Sequence, residues 1–203
     1  MTHRLPAALV LATGNAGKLR EMREILAPWH VEVRAVAEFT REAPEESGVT
    51  FVENALIKAR FAAAVAALPA IADDSGLEVD ALRGAPGIRS ARYAGERASD
   101  ADNNARLLRD LEAVPDPDRT ARYRCAMVFL RGPEDPAPVI AQAAWEGRIG
   151  RTARGDGGFG YDPLFVLDAA GGTAAELTAA EKNRRSHRGQ ALRALVAALT
   201  RDP

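Results

Sequence analysis

The sequence predicts an α/β fold in which a mixed sheet is flanked by helices, and three stretches carry that prediction. Residues 7–12 (AALVLA) and 31–36 (VEVRAV) read as short strands with a helical pattern between them, a βαβ-like start. Residues 122–130 (RYRCAMVFL) alternate, with Tyr123, Cys125, Met127 and Phe129 on one side. After the Pro-rich link 131–138, residues 139–149 (VIAQAAWEGRI) form a plausible antiparallel partner. Residues 173–183 and 186–200 read as helices. These patterns do not fix the strand order.

The remaining elements follow in sequence. Leu19, Met22, Ile25 and Leu26 recur at helical spacing, and Pro28 stops that helix. Residues 50–67 form the clearest helix, with Thr50 and Glu53 as a capping box and an Ala-rich body. Residues 69–82 (PAIADDSGLEVDAL) predict a short strand, a turn at Ser75-Gly76 and another strand. Ser99 opens a helix to about Val114, and the segment 115–118 (PDPD) is a loop. A Gly-rich loop, 155–160, precedes the short apolar stretch 163–167.

A chain of 203 residues is long enough for one domain, or one domain of two lobes, with a substantial core. A net charge of −1 gives no electrostatic reason to expect nucleic acid or an anionic membrane as partner. No N-terminal apolar stretch resembles a signal peptide, and no run approaches membrane-spanning length. The single cysteine, Cys125, excludes an internal disulfide, so a reducing, cytoplasmic location is expected. Of 27 basic residues only three are Lys, namely Lys18, Lys58 and Lys182. Lys is a compact point charge suited to phosphate contact, so its retention in an Arg-preferring chain points to chemistry. For Lys58, chance usage is an equal reading.

The stretch 11–22 (LATGNAGKLREM) resembles a phosphate-binding P-loop and is not one. The P-loop pattern needs Gly where Ala12 stands and Ser or Thr where Leu19 stands. Without that hydroxyl, a metal must be held elsewhere in the chain. Helix starts add to this reading. The positive end of a helix dipole favours acids, and the helices at Thr50 and Ser99 comply. The helix after Asn15 carries Lys18 in its first turn instead, and the helix after Ser186 carries His187 and Arg188. A bound anion would turn both placements favourable; the alternative is that these side chains bend back into water.

Two carboxylate pairs precede Ser-Gly, in 45–48 (EESG) and 73–76 (DDSG). Neighbours on a strand point to opposite faces, so Asp73 and Asp74 have different tasks, one a metal or a water proton, the other bracing the turn. Hard carboxylate oxygens suit Mg²⁺. The segment 155–160 matches G-x-G-x-x-G, but Pro163 follows where a dinucleotide site needs a helix. Phe159 and Tyr161 either stack on a planar base, with Asp162 near the phosphates, or anchor the loop to the core. Neither Cys125 nor His187 has a triad partner nearby in sequence.

Taken together, five segments resemble the inosine triphosphate pyrophosphatase family of house-cleaning nucleoside triphosphate pyrophosphatases. They are LATGNAGKLREM, EESGVTFVENALIKA, AIADDSGLEVDALRGAPGIRSARYAG, GGFGYDPLF and TAAELTAAEKNRRSHRGQAL, in an order spanning nearly the whole chain. The resemblance implies one domain over 1–203, an elongated mixed sheet flanked by helices, with two lobes and a central cleft. It implies Mg²⁺-dependent hydrolysis of ITP, dITP and XTP to the monophosphate and pyrophosphate, by a homodimer. Carried over by position, Thr13, Gly14, Asn15, Ala16, Gly17 and Lys18 contact phosphates. Asp74 is the general base and a metal ligand, Glu46 (or Glu45) the second ligand, and Ser75 contacts substrate. Phe159, Gly160, Tyr161, Asp162, Lys182, His187 and Arg188 bind substrate, the last two near the base edge.

Overall fold

A computed structural model describes residues 5–167 and 171–200. It holds a mixed sheet of six strands, β1 (Ala8–Leu11), β2 (Glu32–Ala35), β3 (Ala70–Val79), β4 (Thr120–Leu130), β5 (Val139–Ile149) and β6 (Phe165–Val166), in the order β2-β1-β3-β4-β5-β6. The opening βαβ unit is as the sequence predicts. β1 (Ala8–Leu11), α1 (Ala16–Leu26) and β2 (Glu32–Ala35) follow in order, and β1 pairs in parallel with β2. Helix α2 (Phe51–Ala66) carries the expected box, with Glu53 N donating to Thr50 Oγ1 and Glu53 Oε2 accepting from Thr50 N. β4 (Thr120–Leu130) and β5 (Val139–Ile149) are neighbours in the sheet, and β6 (Phe165–Val166) pairs antiparallel with β5.

Three local expectations differ from the structure. Residues 70–79 form one strand, β3 (Ala70–Val79), with no turn at Ser75-Gly76. Ala70, Ile71, Ala72, Leu77 and Val79 are all fully buried along it, and Leu77 N donates to Ser90 Oγ at 2.8 Å. Burial and hydrogen bonding along the strand outweigh the local preference of Ser-Gly for a turn. The predicted helix 173–183 is instead a 3-10 turn at Ala174–Glu176 followed by α4 (Ala179–Arg185). Leu177 and Thr178 between them are extended, and Thr178 starts α4 with its own capping box to Glu181. Helix α3 (Asp100–Asp110) stops short of Val114, where Arg119 Nη1 donates to the Leu111 carbonyl at 2.6 Å. The last helix, α5, covers His187–Thr200.

The chain divides into two compact units, one of residues 1–74, 125–143 and 188–203, the other of 75–124 and 144–187. In the first, Leu9, Leu11, Met22, Leu26, Met127 and Leu195 form one cluster. The alanines of α2 pack with Val10, Val128 and Leu130 in another. Alanine lets the helix lie close to the strands, which brings Asn54 and Lys58 within hydrogen-bond reach of the Asp74 side chain. In the second, Leu77, Leu107, Tyr123, Trp145, Phe165 and Leu167 form the core. Among the described residues, no helix is long and apolar enough to cross a membrane.

Candidate active site

In the first unit the loop after β1 ends in a side-chain cap. Asn15 Oδ1 accepts from Lys18 N at 3.0 Å, and Thr13 Oγ1 accepts from Asn15 N at 3.2 Å. Gly14, Asn15 and Ala16 are exposed at the start of α1, whose first turn holds no acid. Lys18 does not bend into water. Its Nζ lies 2.9 Å from Asp73 Oδ2, and Arg188 Nε reaches the same oxygen at 3.3 Å. Arg188 Nη1 also meets Glu21 Oε2 at 2.6 Å. The two cations at unfavourable helix ends are thus met by a shared, fully buried carboxylate. Burial would push the Asp73 carboxyl up, but the charges of Lys18 and Arg188 win and hold it well below the usual carboxylate range.

Asp74 points to the other side of β3, as strand alternation requires. Its Oδ1 accepts from Lys58 Nζ at 2.7 Å and its Oδ2 from Asn54 Nδ2 at 3.4 Å. Asn54 and Lys58 are one helical turn apart on α2, so one face of that helix presents both donors. Lys58 also lies 3.5 Å from Glu46 Oε1, whereas Glu45 is exposed. Gly48 N donates to Asn54 Oδ1 at 2.9 Å, which ties the Glu-Glu-Ser-Gly segment to the same helix. A side chain at Gly48 would come within 2.6 Å of the Glu53 Cβ and 2.7 Å of Asn54 Oδ1, so the close approach requires glycine. Burial raises the Asp74 carboxyl above its ordinary value, and Lys58 opposes this only in part.

In the second unit, Asp162 is the hub. Its Oδ2 lies 2.6 Å from Lys182 Nζ and accepts from Phe159 N at 2.8 Å. Lys182 Nζ stands 4.5 Å from the centre of the partly buried Phe159 ring. Of the two roles open for the loop aromatics, Tyr161 takes the anchoring one. It is 4 % exposed, and its hydroxyl donates to the Ser90 carbonyl at 2.7 Å. The His187 ring stacks on Tyr123 with centres 4.6 Å apart and planes 9° apart. Ser75 is half-buried on β3. Cys125 is buried, and that burial together with the charge of Asp73 pushes its thiol up to about 12, which leaves it protonated and unreactive.

Sequence reasoning missed four participants: Asp73 and Glu21 as the counter-charges of Lys18 and Arg188, and Asn54 and Lys58 as the partners of Asp74. The signal for Lys58 was present in the scarcity of lysine. Each of the three lysines is ion-paired with an aspartate, Lys18 with Asp73, Lys58 with Asp74 and Lys182 with Asp162. Among the described residues, no group of three or more His, Cys, Asp or Glu side chains is placed to hold a metal ion. Glu46 and Asp74, which share Lys58, are the carboxylates of this group with hard oxygens turned to a common point.

The profile of the Ham1 family matches residues 9–198. A dITP/XTP pyrophosphatase of Thioalkalivibrio sulfidiphilus is 58% identical over 188 residues, 93% of this chain and 96% of the relative. One from Salmonella typhimurium is 55% identical over 191 residues, 94% and 97% of the two chains. Among solved structures, a HAM1 protein from Coxiella burnetii superposes with a TM-score of 0.87 at 49% identity, over 96% and 99% of the chains. A nucleoside-triphosphatase / dITP/XTP pyrophosphatase from Mycobacterium abscessus does so at 0.74 and 42%, over 93% and 98%.

Proposed function

The chain belongs to the Ham1 family, and we propose that it hydrolyses the non-canonical purine triphosphates ITP, dITP and XTP to the nucleoside monophosphate and pyrophosphate. The observation that carries the reading is Asp74, a largely buried carboxylate with a raised pKa held between Lys58 and Asn54. A carboxylate so raised is a stronger base than an ordinary aspartate. Full-length relatives named dITP/XTP pyrophosphatase supply the substrate class.

Phosphates are bound by the turn Thr13–Lys18, which is exposed at Gly14, Asn15 and Ala16 and lies at the positive end of α1. Asp74 accepts a proton from the attacking water. The water oxygen bonds to phosphorus, and the α–β anhydride bond breaks with its electron pair leaving on pyrophosphate. Lys58 and Asn54 orient Asp74 through this step. The donor set fits Mg²⁺: Glu46 and Asp74 offer hard oxygens within 3.5 Å and 2.7 Å of one ammonium, and Mg²⁺ is commonly held by one or two carboxylates plus substrate phosphates. When bound, it supplies Lewis-acid stabilisation of phosphate charge.

Ser75, Phe159, Gly160, Asp162, Lys182, His187 and Arg188 are assigned to the substrate, with Asp162 near the phosphates and His187 and Arg188 near the base edge. Phe159 stacks on the purine. A donor from backbone N–H groups or from the His187–Arg188 pair bonds the 6-oxo group, and the same donor faces an amino group in adenine, which is rejected strongly. The test is to identify the released species with Mg²⁺ across ITP, XTP, GTP and ATP. Stoichiometric pyrophosphate from ITP, slow turnover of ATP and loss of activity in EDTA are expected; orthophosphate as first product overturns the reading. The proposal includes a cytoplasmic homodimer, for which sedimentation at twice the chain mass is the expected result.

A further inference from the structure

The loop that carries Phe159 is fixed by a helix distant in sequence. Gly160 N donates to Asp100 Oδ2 at 2.7 Å, and the Gly160 carbonyl accepts from Asn104 Nδ2 at 2.8 Å. The same amide nitrogen donates to the Asp100 carbonyl at 2.8 Å. Both polar groups of one residue are therefore held by two side chains a helical turn apart on α3. Gly160 has a φ of 63°, a left-handed conformation that places this demand on glycine. Both acceptors of Asn104 Nδ2 are carbonyls, so the amide cannot turn over without facing oxygen to oxygen. Its Oδ1 is consequently buried with no partner, an arrangement with a cost that the Gly160 contact offsets.

The neighbours of Gly160 are held as well. Asp162 takes the N–H of Phe159, and Tyr161 is tied to Ser90. Gly160 is the link between these anchors, and its peptide sets the direction in which the Phe159 side chain leaves the backbone. We propose that Asp100 and Asn104 are positioning residues for base recognition: they hold Gly160 so that Phe159 is aligned for the purine ring. The inference rests on the reading above, that Phe159 stacks on the base. It assigns α3 a part in KM for the nucleotide.

The experiment compares Phe159→Ala, Asn104→Asp, Asp100→Ala and Asp100→Asn, reading kcat and KM for ITP and inhibition by pyrophosphate, which lacks a base. Asn104→Asp keeps the shape but sets a carboxylate oxygen against the Gly160 carbonyl. It is expected to raise KM for ITP about three- to tenfold, the worth of a hydrogen bond or somewhat more, with kcat and pyrophosphate inhibition little changed. Asp100→Ala raises KM in the same way, and Asp100→Asn recovers most of that loss because its amide oxygen still accepts from Gly160 N. If Phe159→Ala raises KM and Asn104→Asp does not, the inference is overturned while base stacking stands. If Phe159→Ala leaves KM unchanged, the stacking reading itself fails and takes the inference with it. Weakened pyrophosphate inhibition in step with KM would show a general structural role and would also overturn it.

Discussion

The ammonium of Lys58 lies 2.7 Å from Asp74 Oδ1, yet the contact settles the protonation of only one partner. Burial lowers the Lys58 pKa, but its carboxylate neighbours outweigh that and raise it. For Asp74 burial wins, and the carboxyl ends above its ordinary value. The asymmetry suits a base that must be ionised yet willing to take a proton.

It follows that activity should fall as pH drops through the raised Asp74 pKa, so the acid limb of kcat/KM lies above the ordinary Asp value of about 3.9. Lys58→Met removes the charge that opposes burial and should move that limb to higher pH. Asp74→Asn should lower kcat by about 10²- to 10⁴-fold with the circular dichroism spectrum unchanged. A limb that stays in place in Lys58→Met would reassign the base.

Glu46 shares Lys58 with Asp74, and Glu45 is exposed. Titrating Mg²⁺ against activity should show Glu46→Gln needing about tenfold more metal for half-maximal rate, in the range typical for weakened metal support. Glu45→Gln should match the wild type. Equal effects in the two variants would remove Glu46 from the metal site.

Asp73 is a matter of stability. Its side chain is fully buried between Lys18 and Arg188. Asp73→Asn leaves buried cations without their shared counter-charge and should cost about 3–5 kcal/mol, read by urea denaturation at pH 7. Because the folded pKa is depressed, this contribution is complete above the unfolded value of about 3.9 and is lost as pH falls below it. The gap between wild type and variant should therefore narrow under acid.

Gly158 has a φ of 74°, and a Cβ there would overlap Asp162 Oδ2. Gly158→Ala should cost about 1–3 kcal/mol of backbone strain and displace Asp162 from Lys182. A raised KM for ITP together with a lower melting temperature is expected; an unchanged KM would separate the Asp162–Lys182 pair from substrate binding.

The architecture was legible where pattern and burial agree. The βαβ start, the box at Thr50 and Glu53, and β4 and β5 follow directly from apolar spacing. Ser75-Gly76 misled because turn chemistry is local, whereas β3 is held by apolar residues on both sides of it. In the site, Lys18 and Arg188 stood out as charges at the wrong helix ends, but their common partner Asp73 is 115 residues from Arg188 and no spacing announces it. Asn54 was hidden for the opposite reason, since on a helix rich in alanine a lone Asn carries no signal until the strand beside it is known. For Lys58 the scarcity of lysine was a signal that chance usage matched.

Pairing every lysine with an aspartate of these clusters has a use in chemical probing. An amine-directed reagent finds no scattered surface lysines in this chain to consume it. Apart from the α-amino group, each adduct reports on a side chain whose exposure is 16%, 14% or 7% and whose reactivity depends on its carboxylate partner. Labelling with and without nucleotide would then act as a footprint of the three lysine–aspartate pairs, resolved to three peptides by mass spectrometry.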